Sequence, residues 1–265
     1  MILPAATVLF LLAQTLAVPR PDGGTGAPRV VSSLPVESAP GLPRLQISGV
    51  PVVPADFEAW LAPYTETRSA QLADPGEDGK AVLILTRFGS VAQIHRVAAP
   101  LGMREQLTFG KEPVAKAAWL PGDSRTVFFL QDTGGGESFQ LYRLDTRTGR
   151  RQLLTDGKSR HETFSVSPDG RWLAYSGTGR NGTDTDVYLA EPASPSTARR
   201  LTEESGNWLP GEFSTDGKKL LVRRERAIDD ADLFVVDLAT RARTRITPDP
   251  ATAGKGSVRK AAFGP

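Results

Sequence analysis

The sequence predicts an all-β fold, a β-propeller of four-stranded blades, and two recurring landmarks and one pattern predict it. Tight turns fall at Asp78-Gly79, Gly122-Asp123, Asp169-Gly170 and Asp216-Gly217, so their aspartates are 45, 46 and 47 residues apart. A second landmark, Leu107-Thr108, Leu154-Thr155, Leu201-Thr202 and Ile246-Thr247, recurs at intervals of 47, 47 and 45. Between them, apolar residues alternate with polar ones or run in short blocks, with no three-to-four-residue helical period. A repeat of roughly 40–50 residues with that pattern is the signature of a propeller blade rather than a helical solenoid.

The elements follow in order. Residues 1–18 open with the apolar run Ile2–Val18, and Thr15-Leu16-Ala17 supplies the small residues a signal peptidase reads, so this segment is expected to be a signal peptide or a retained anchor. It lacks a Lys or Arg ahead of the apolar run, and at about seventeen residues it is short for a membrane span. Export to the periplasm or the exterior follows. Residues 19–44 read as a linker, because ten of the twenty-five residues from Pro19 to Pro43 are Pro or Gly. Residues 45–63 form the lead-in: a short strand within Leu45–Val53, then a helix over Pro54–Leu61 with Phe57, Trp60 and Leu61 on one face, expected to dock on the propeller.

The repeats then run over about 64–110, 111–157, 158–204 and 205–250, with the first strand opening at Tyr64–Leu72. The third shows the pattern most plainly. Phe164-Ser165-Val166 is a first strand, Ser167-Pro168-Asp169-Gly170 a turn, and Arg171–Tyr175 a second strand. Pro presets φ for such a turn and Gly tolerates positive φ. Gly179–Thr183 is a hairpin, Asp186–Leu189 a third strand, and Arg199-Arg200-Leu201-Thr202 begins the fourth. Residues 251–265 read as the start of another repeat, since Val258–Pro265 matches the stretch ending in Pro168. The expectation is therefore about four blades plus the start of a fifth, from a propeller of seven or eight.

Composition narrows the function. Thirty-two basic and thirty acidic residues are interspersed and leave a net charge of +2, so no basic face for nucleic acid is visible. With no Cys, disulfides, thiol catalysis and Cys-based metal sites are excluded. His95, in a third strand, and His161, in a connection before Phe164, read as structural residues. Asn181–Asp186 alternates oxygen-bearing side chains as a calcium loop would, but lacks the remaining loop and the terminal Glu, and a hairpin explains it. Glu203-Glu204 is a pair that could hold an ammonium, though its place after a repeat closure favours a solvated connection. Arg223-Arg224-Glu225-Arg226 leads into the hairpin Ala227–Asp230, facing either the channel or water. Trp119, Trp172 and Trp208, the last expected ahead of a strand at Glu212-Phe213, read as core. No catalytic, cofactor-binding or metal-ligating residue is assigned.

The Ser-Pro-Asp-Gly and Ser-Thr-Asp-Gly turns, the strands Asp186–Leu189 and Asp232–Asp237 and the Leu-Thr closures together resemble the propeller of the prolyl oligopeptidase family of serine peptidases. The lead-in Pro54–Arg68, Thr86–Gly89 and Gln140–Asp145 are most similar to its bacterial acylaminoacyl- and dipeptidyl-peptidase-like members, and the resemblance spans about Val50–Pro265. It implies a propeller that gates peptide access to an α/β-hydrolase domain carrying a Ser-Asp-His triad. No G-x-S-x-G nucleophile elbow occurs in the chain, so these residues alone should be inactive. The partners implied are peptide substrates, reached through a hydrolase domain that is not in this sequence, and other proteins, with no nucleic acid and no membrane beyond an amino-terminal anchor. No cofactor is implied. The alternative is a TolB-like periplasmic propeller that binds proteins without catalysis. TolB shares the turn motif but carries a compact α/β domain ahead of its propeller, whereas the stretch available here is rich in Pro and Gly.

Overall fold

The computed structural model describes residues 54–76, 79, 81–248, 256, 258 and 261–264, together with the backbone of 30–31 and 50–51. Two units are distinguished, residues 1–67 and 68–265. In the first, β1 (Val30–Val31), inside the stretch read as linker, pairs antiparallel with β2 (Val50–Pro51). The helix α1 spans Phe57–Thr65 and so runs past Leu61 through Pro63. Its last turn is closed by the Glu66 N–H on the Ala62 carbonyl and by the Thr65 hydroxyl on the Leu61 carbonyl. Phe57, Trp60 and Tyr64, spaced as helix neighbours, stack along one side with ring centroids 5.8 and 6.3 Å apart. Tyr64 is therefore helical, and the first blade opens at Gln71 instead. The apolar run Ile2–Val18 lies outside the described residues, and among those described no helix is long and apolar enough to cross a membrane.

The second unit is four antiparallel sheets of four strands. The first contains β3 (Gln71–Asp74), β4 (Val82–Thr86), β5 (Gln93–Val97) and β6 (Arg104–Gln106). β7 (Val114–Leu120), β8 (Asp123–Gln131), β9 (Gln140–Asp145) and β10 (Arg151–Leu153) form the second. The third has β11 (Phe164–Val166), β12 (Leu173–Gly177), β13 (Asp186–Glu191) and β14 (Ser194–Arg200); the fourth has β15 (Asn207–Phe213), β16 (Lys219–Ala227), β17 (Asp230–Asp237) and β18 (Arg243–Arg245). Strand order within each sheet is sequential, the meander of a propeller blade.

Each blade packs face to face on the next, so its middle strands are buried on both sides. Period-two alternation then deals neighbouring side chains to opposite cores. Phe129 packs with Leu83, Leu85 and Ile94 of the first blade, whereas Phe128 packs with Phe164, Leu173 and Tyr175 of the third. Leu173 and Tyr175 face the second blade, while Ala174 between them joins Trp208, Leu220 and Val222 of the fourth. This explains why the second and third strands read as apolar blocks rather than as a clean alternation.

The two landmarks have distinct physical roles. In the third blade the Ser167 hydroxyl donates to Asp169 and accepts the Trp172 N–H, while Asp169 accepts the Arg171 N–H and Gly170 sits at φ +69°. Ser214, Asp216 and Gly217 repeat this arrangement in the fourth blade, with φ +67° at the glycine. The second blade differs: Leu120 pairs with Asp123, and Pro121-Gly122 occupies the corners, so its Gly precedes its Asp. Asp78 of the first turn lies outside the described residues.

At each closure, Leu or Ile returns its N–H to a third-strand carbonyl, and the next Thr accepts the N–H of that same third-strand residue. The pairs are Leu107 and Thr108 on Ile94, Leu154 and Thr155 on Leu141, Leu201 and Thr202 on Val187, and Ile246 and Thr247 on Leu233. A side chain thus continues the ladder where the backbone leaves it.

Three boundaries differ from expectation. In the third blade the fourth strand covers Ser194–Arg200, so Leu201-Thr202 ends it rather than extends it. β15 starts at Asn207 and includes Trp208, because the Trp208 N–H bonds to the Thr185 carbonyl of the neighbouring blade and its indole is fully buried. At the carboxy-terminal end, the described residues 256, 258 and 261–264 lie outside strands; Gly256 and Val258 instead accept hydrogen bonds from the Ala231 N–H and from Arg223.

Candidate functional site

Inner strands of adjacent blades approach one another, and a cleft of about 320 Å³ opens along β7, β11 and β15. Its lining includes Lys116, Thr163, Phe164, Pro210, Glu212 and Arg223. A bulge between Val114 and Lys116 sets which way the lysine faces. Val114, Ala117 and Trp119 enter the core shared with the first blade, whereas Ala118 and Leu120, in step with Lys116, pack toward the third. The ammonium donates to Thr163 Oγ1 at 2.9 Å and to the Phe164 carbonyl at 2.6 Å, with the Phe164 ring centroid 5.0 Å away. Burial lowers its pKa from the ordinary lysine value.

The tetrad Arg223–Arg226 divides by strand alternation. Arg223 lines the cleft and pairs with Glu225 at 2.7 Å. Arg224 lies over Trp208 and donates to the Ser205 carbonyl, while Arg226 pairs with Asp230 and Asp232. Glu203 and Glu204 do not act as a pair. Arg200 engages Glu203 at 3.3 Å, whereas Glu204 is held by Arg243, whose guanidinium lies over Trp208 and Phe234. Hydrogen bonding from Arg243 keeps the Glu204 carboxyl ionised down to about 2. Two carboxylates already committed to separate arginines do not form a shared ammonium site.

Around Asn181–Asp186 the positive charge is internal. Arg180 bonds Asp186 at 2.7 Å and Asp184 at 3.2 Å, filling the place a cation would take. The fourth blade repeats this device with Arg226 and Asp232, again six residues apart. Asp186 and Asp232 each precede the third-strand residue that the closure bonds, Val187 and Leu233, where the first two blades carry the buried amides Gln93 and Gln140. Among the described residues no group of three or more His, Cys, Asp or Glu could hold a metal ion.

His95 is fully buried, edge-on to Phe88, with Nδ1 near the Gln93 carbonyl. His161 is also buried, although the sequence placed it in a polar connection; its Nδ1 bonds the Ser176 carbonyl at 2.7 Å and its ring lies beside Tyr175. Asp156 and Ser159 complete a Ser-His-Asp composition without the chemistry of one. Ser159 Oγ donates to Asp156 rather than to His161, and His161 Nε2 is 3.8 Å from Asp156 Oδ1. No base is placed to activate the serine. Burial opposes the Asp156 charge, but hydrogen bonds from Ser159 and from the Lys158 and Ser159 N–H groups outweigh it and hold the pKa near about 2. The nearby Asp156 favours a charged His161, yet desolvation outweighs it and lowers the imidazole pKa. Trp119 and Trp208 are core residues, and Trp172 packs at a core margin beneath Arg199.

Sequence reasoning did not single out Lys116. A lysine in an apolar strand was the available signal, but the bulge that aims it across the blade interface is a tertiary feature.

No protein-family profile matches the chain. It is similar to an uncharacterised protein of Agrobacterium fabrum, 29% identical over 117 residues, covering 44% of this chain and 36% of that protein. It is also similar to dipeptidyl-peptidase 5 of Porphyromonas gingivalis, 35% identical over 97 residues, covering 33% of this chain and 14% of the peptidase. The chain thus matches well under half the length of either curated relative. Among solved structures, a putative TolB from Agrobacterium tumefaciens superposes with a TM-score of 0.55 at 18% identity, over 65% of this chain and 62% of that one. A prolyl endopeptidase superposes at 0.56 and 13% identity, over 85% and 40%. A puromycin-hydrolysing peptidase of Mycobacterium tuberculosis gives 0.51 at 13% identity, over 68% and 28%. These likenesses establish the β-propeller fold, which peptidases and TolB share.

Proposed function

We propose that this chain is the propeller portion of an exported serine peptidase of the prolyl oligopeptidase type, screening the peptides that reach a hydrolase domain. The observation that carries the reading is the 35% identity over 97 residues with dipeptidyl-peptidase 5. The lead-in and inter-repeat segments that resemble the same family support it. Export is proposed on the apolar run Ile2–Val18 followed by small residues. In this reading the blades are a selective wall, and acyl transfer belongs to the triad of the other domain.

The test is to sequence the gene beyond codon 265 and to treat the full-length product with a fluorophosphonate probe. Further blades followed by a G-x-S-x-G whose serine is labelled are expected. A gene encoding blades alone, or a product that the probe does not label, refutes the peptidase reading and favours a protein-binding propeller.

A further inference from the structure

The cleft at the inner strands has a chemistry of its own. An ammonium has three donors. Two of those on Lys116 go to neutral oxygens, Thr163 Oγ1 and the Phe164 carbonyl, and among the described residues no carboxylate pairs with the charge. A part-buried cation without a counter-ion is costly to keep, and an anion arriving in the cleft offsets that cost. Arg223 adds a second cation on the lining, itself paired with Glu225. The Phe164 ring and Pro210 give apolar wall, and exposed Glu212 sets one negative charge on the same lining. Cations, apolar wall and a lone carboxylate are complementary to a small molecule bearing one carboxylate and one amine. The volume of about 320 Å³ lies at the lower end for small-molecule sites.

We propose that this cleft binds a short peptide by its terminal carboxylate, with Lys116 as the residue that seats it. That the ligand is a peptide rests on the peptidase reading above; that it bears a carboxylate rests on Lys116 and its surroundings alone. Glu212 turns away dianions, so a dicarboxylate such as succinate binds less well than a zwitterionic peptide.

Titration calorimetry of the full chain at low salt, with trialanine and with trialanine amide as probes, tests the assignment. The free acid is expected to bind about tenfold more tightly than the amide, the discrimination of one charge-assisted hydrogen bond. Lys116→Gln removes that preference and Arg223→Gln reduces it, each checked by an unchanged circular dichroism spectrum. The acid–amide comparison on the unmodified chain does not depend on either variant folding. Equal binding of acid and amide, no binding of either, or full discrimination in K116Q overturns the proposal. A labelled serine in the full-length product together with equal binding of the two probes refutes the cleft and leaves the peptidase reading standing, whereas an acid preference in a product without a nucleophile does the reverse.

Discussion

Replacing Thr202 by valine removes one hydroxyl and nearly nothing else, since the two side chains share a shape. Thr202 is 1% exposed, and its oxygen accepts the Val187 N–H at 2.9 Å. Val187 is itself fully buried in the core between the third and fourth blades, so water cannot take over as acceptor. An unsatisfied buried donor costs about 1–3 kcal/mol. For a unit of this size that corresponds to a fall in melting temperature of roughly 2–4 °C per kcal/mol, or about 4–8 °C at the middle of the range. Thr202→Ser keeps the oxygen and should recover most of the loss. Thr247→Val is the internal comparison: its bond to the Leu233 N–H is 3.3 Å long, so a smaller effect is expected. Thermal melts of the three variants, with amide hydrogen exchange at Val187, measure this. If T202V melts with the parent and the Val187 amide stays protected, the Leu-Thr closures are sequence habits and not ladder extensions.

Further outcomes follow from the same geometry. Gly170→Ala is expected to destabilise by about 1–3 kcal/mol, because the residue sits at φ +69° and a Cβ would lie 2.7 Å from the Pro121 carbonyl oxygen of the second blade; an unchanged denaturation midpoint would sink this. His161 has a folded-state pKa below its ordinary 6.5, so the unfolded chain binds the extra proton and stability falls as pH drops below about 6.5; His161→Gln should flatten that part of a stability–pH curve. Asp156 has its folded pKa depressed to about 2, so its contribution is present above the ordinary 3.8 and is lost as pH falls toward 2, a second and separate acid step that Asp156→Asn should remove. Glu204→Gln breaks a half-exposed ion pair with Arg243 and should cost less than about 1 kcal/mol, less still in high salt, which melts at two ionic strengths would show.

The repeat was legible because its signals are local: a Ser, an Asp and a Gly within four residues make the turn, and one Thr makes the closure. Helix α1 overran its expected end because Pro63 sits where the aromatic ladder Phe57, Trp60 and Tyr64 still gains from helical spacing. Trp208 joined its strand through a hydrogen bond to another blade, which local pattern does not encode. The site residues were harder to place for the same reason. Glu204 meets Arg243 across 39 residues and Lys116 meets Thr163 one 47-residue repeat away, so neither contact is visible to a local pattern. Where alternation along one strand decides, as for Arg223 on the cleft and Arg224 over Trp208, the tetrad is visible in the sequence but the face each residue takes is not.

The residue just ahead of the closure partner in each third strand carries an implication for how such repeats diverge from one another. Two blades place a neutral glutamine there, and two place an aspartate held by an arginine six residues earlier. Passing from one form to the other by single changes is asymmetric. An arginine arriving first, on the hairpin or at the strand end that leads into it, can extend into water and is tolerated; an aspartate arriving first is a lone buried charge, of the kind that costs about 3–5 kcal/mol when its partner is removed. The route between the two kinds of blade therefore has an order, arginine before aspartate: Gln93→Asp in the first blade, where Arg87 already stands six residues earlier, should cost less in a denaturation melt than Gln140→Asp in the second, where that position is Gly134.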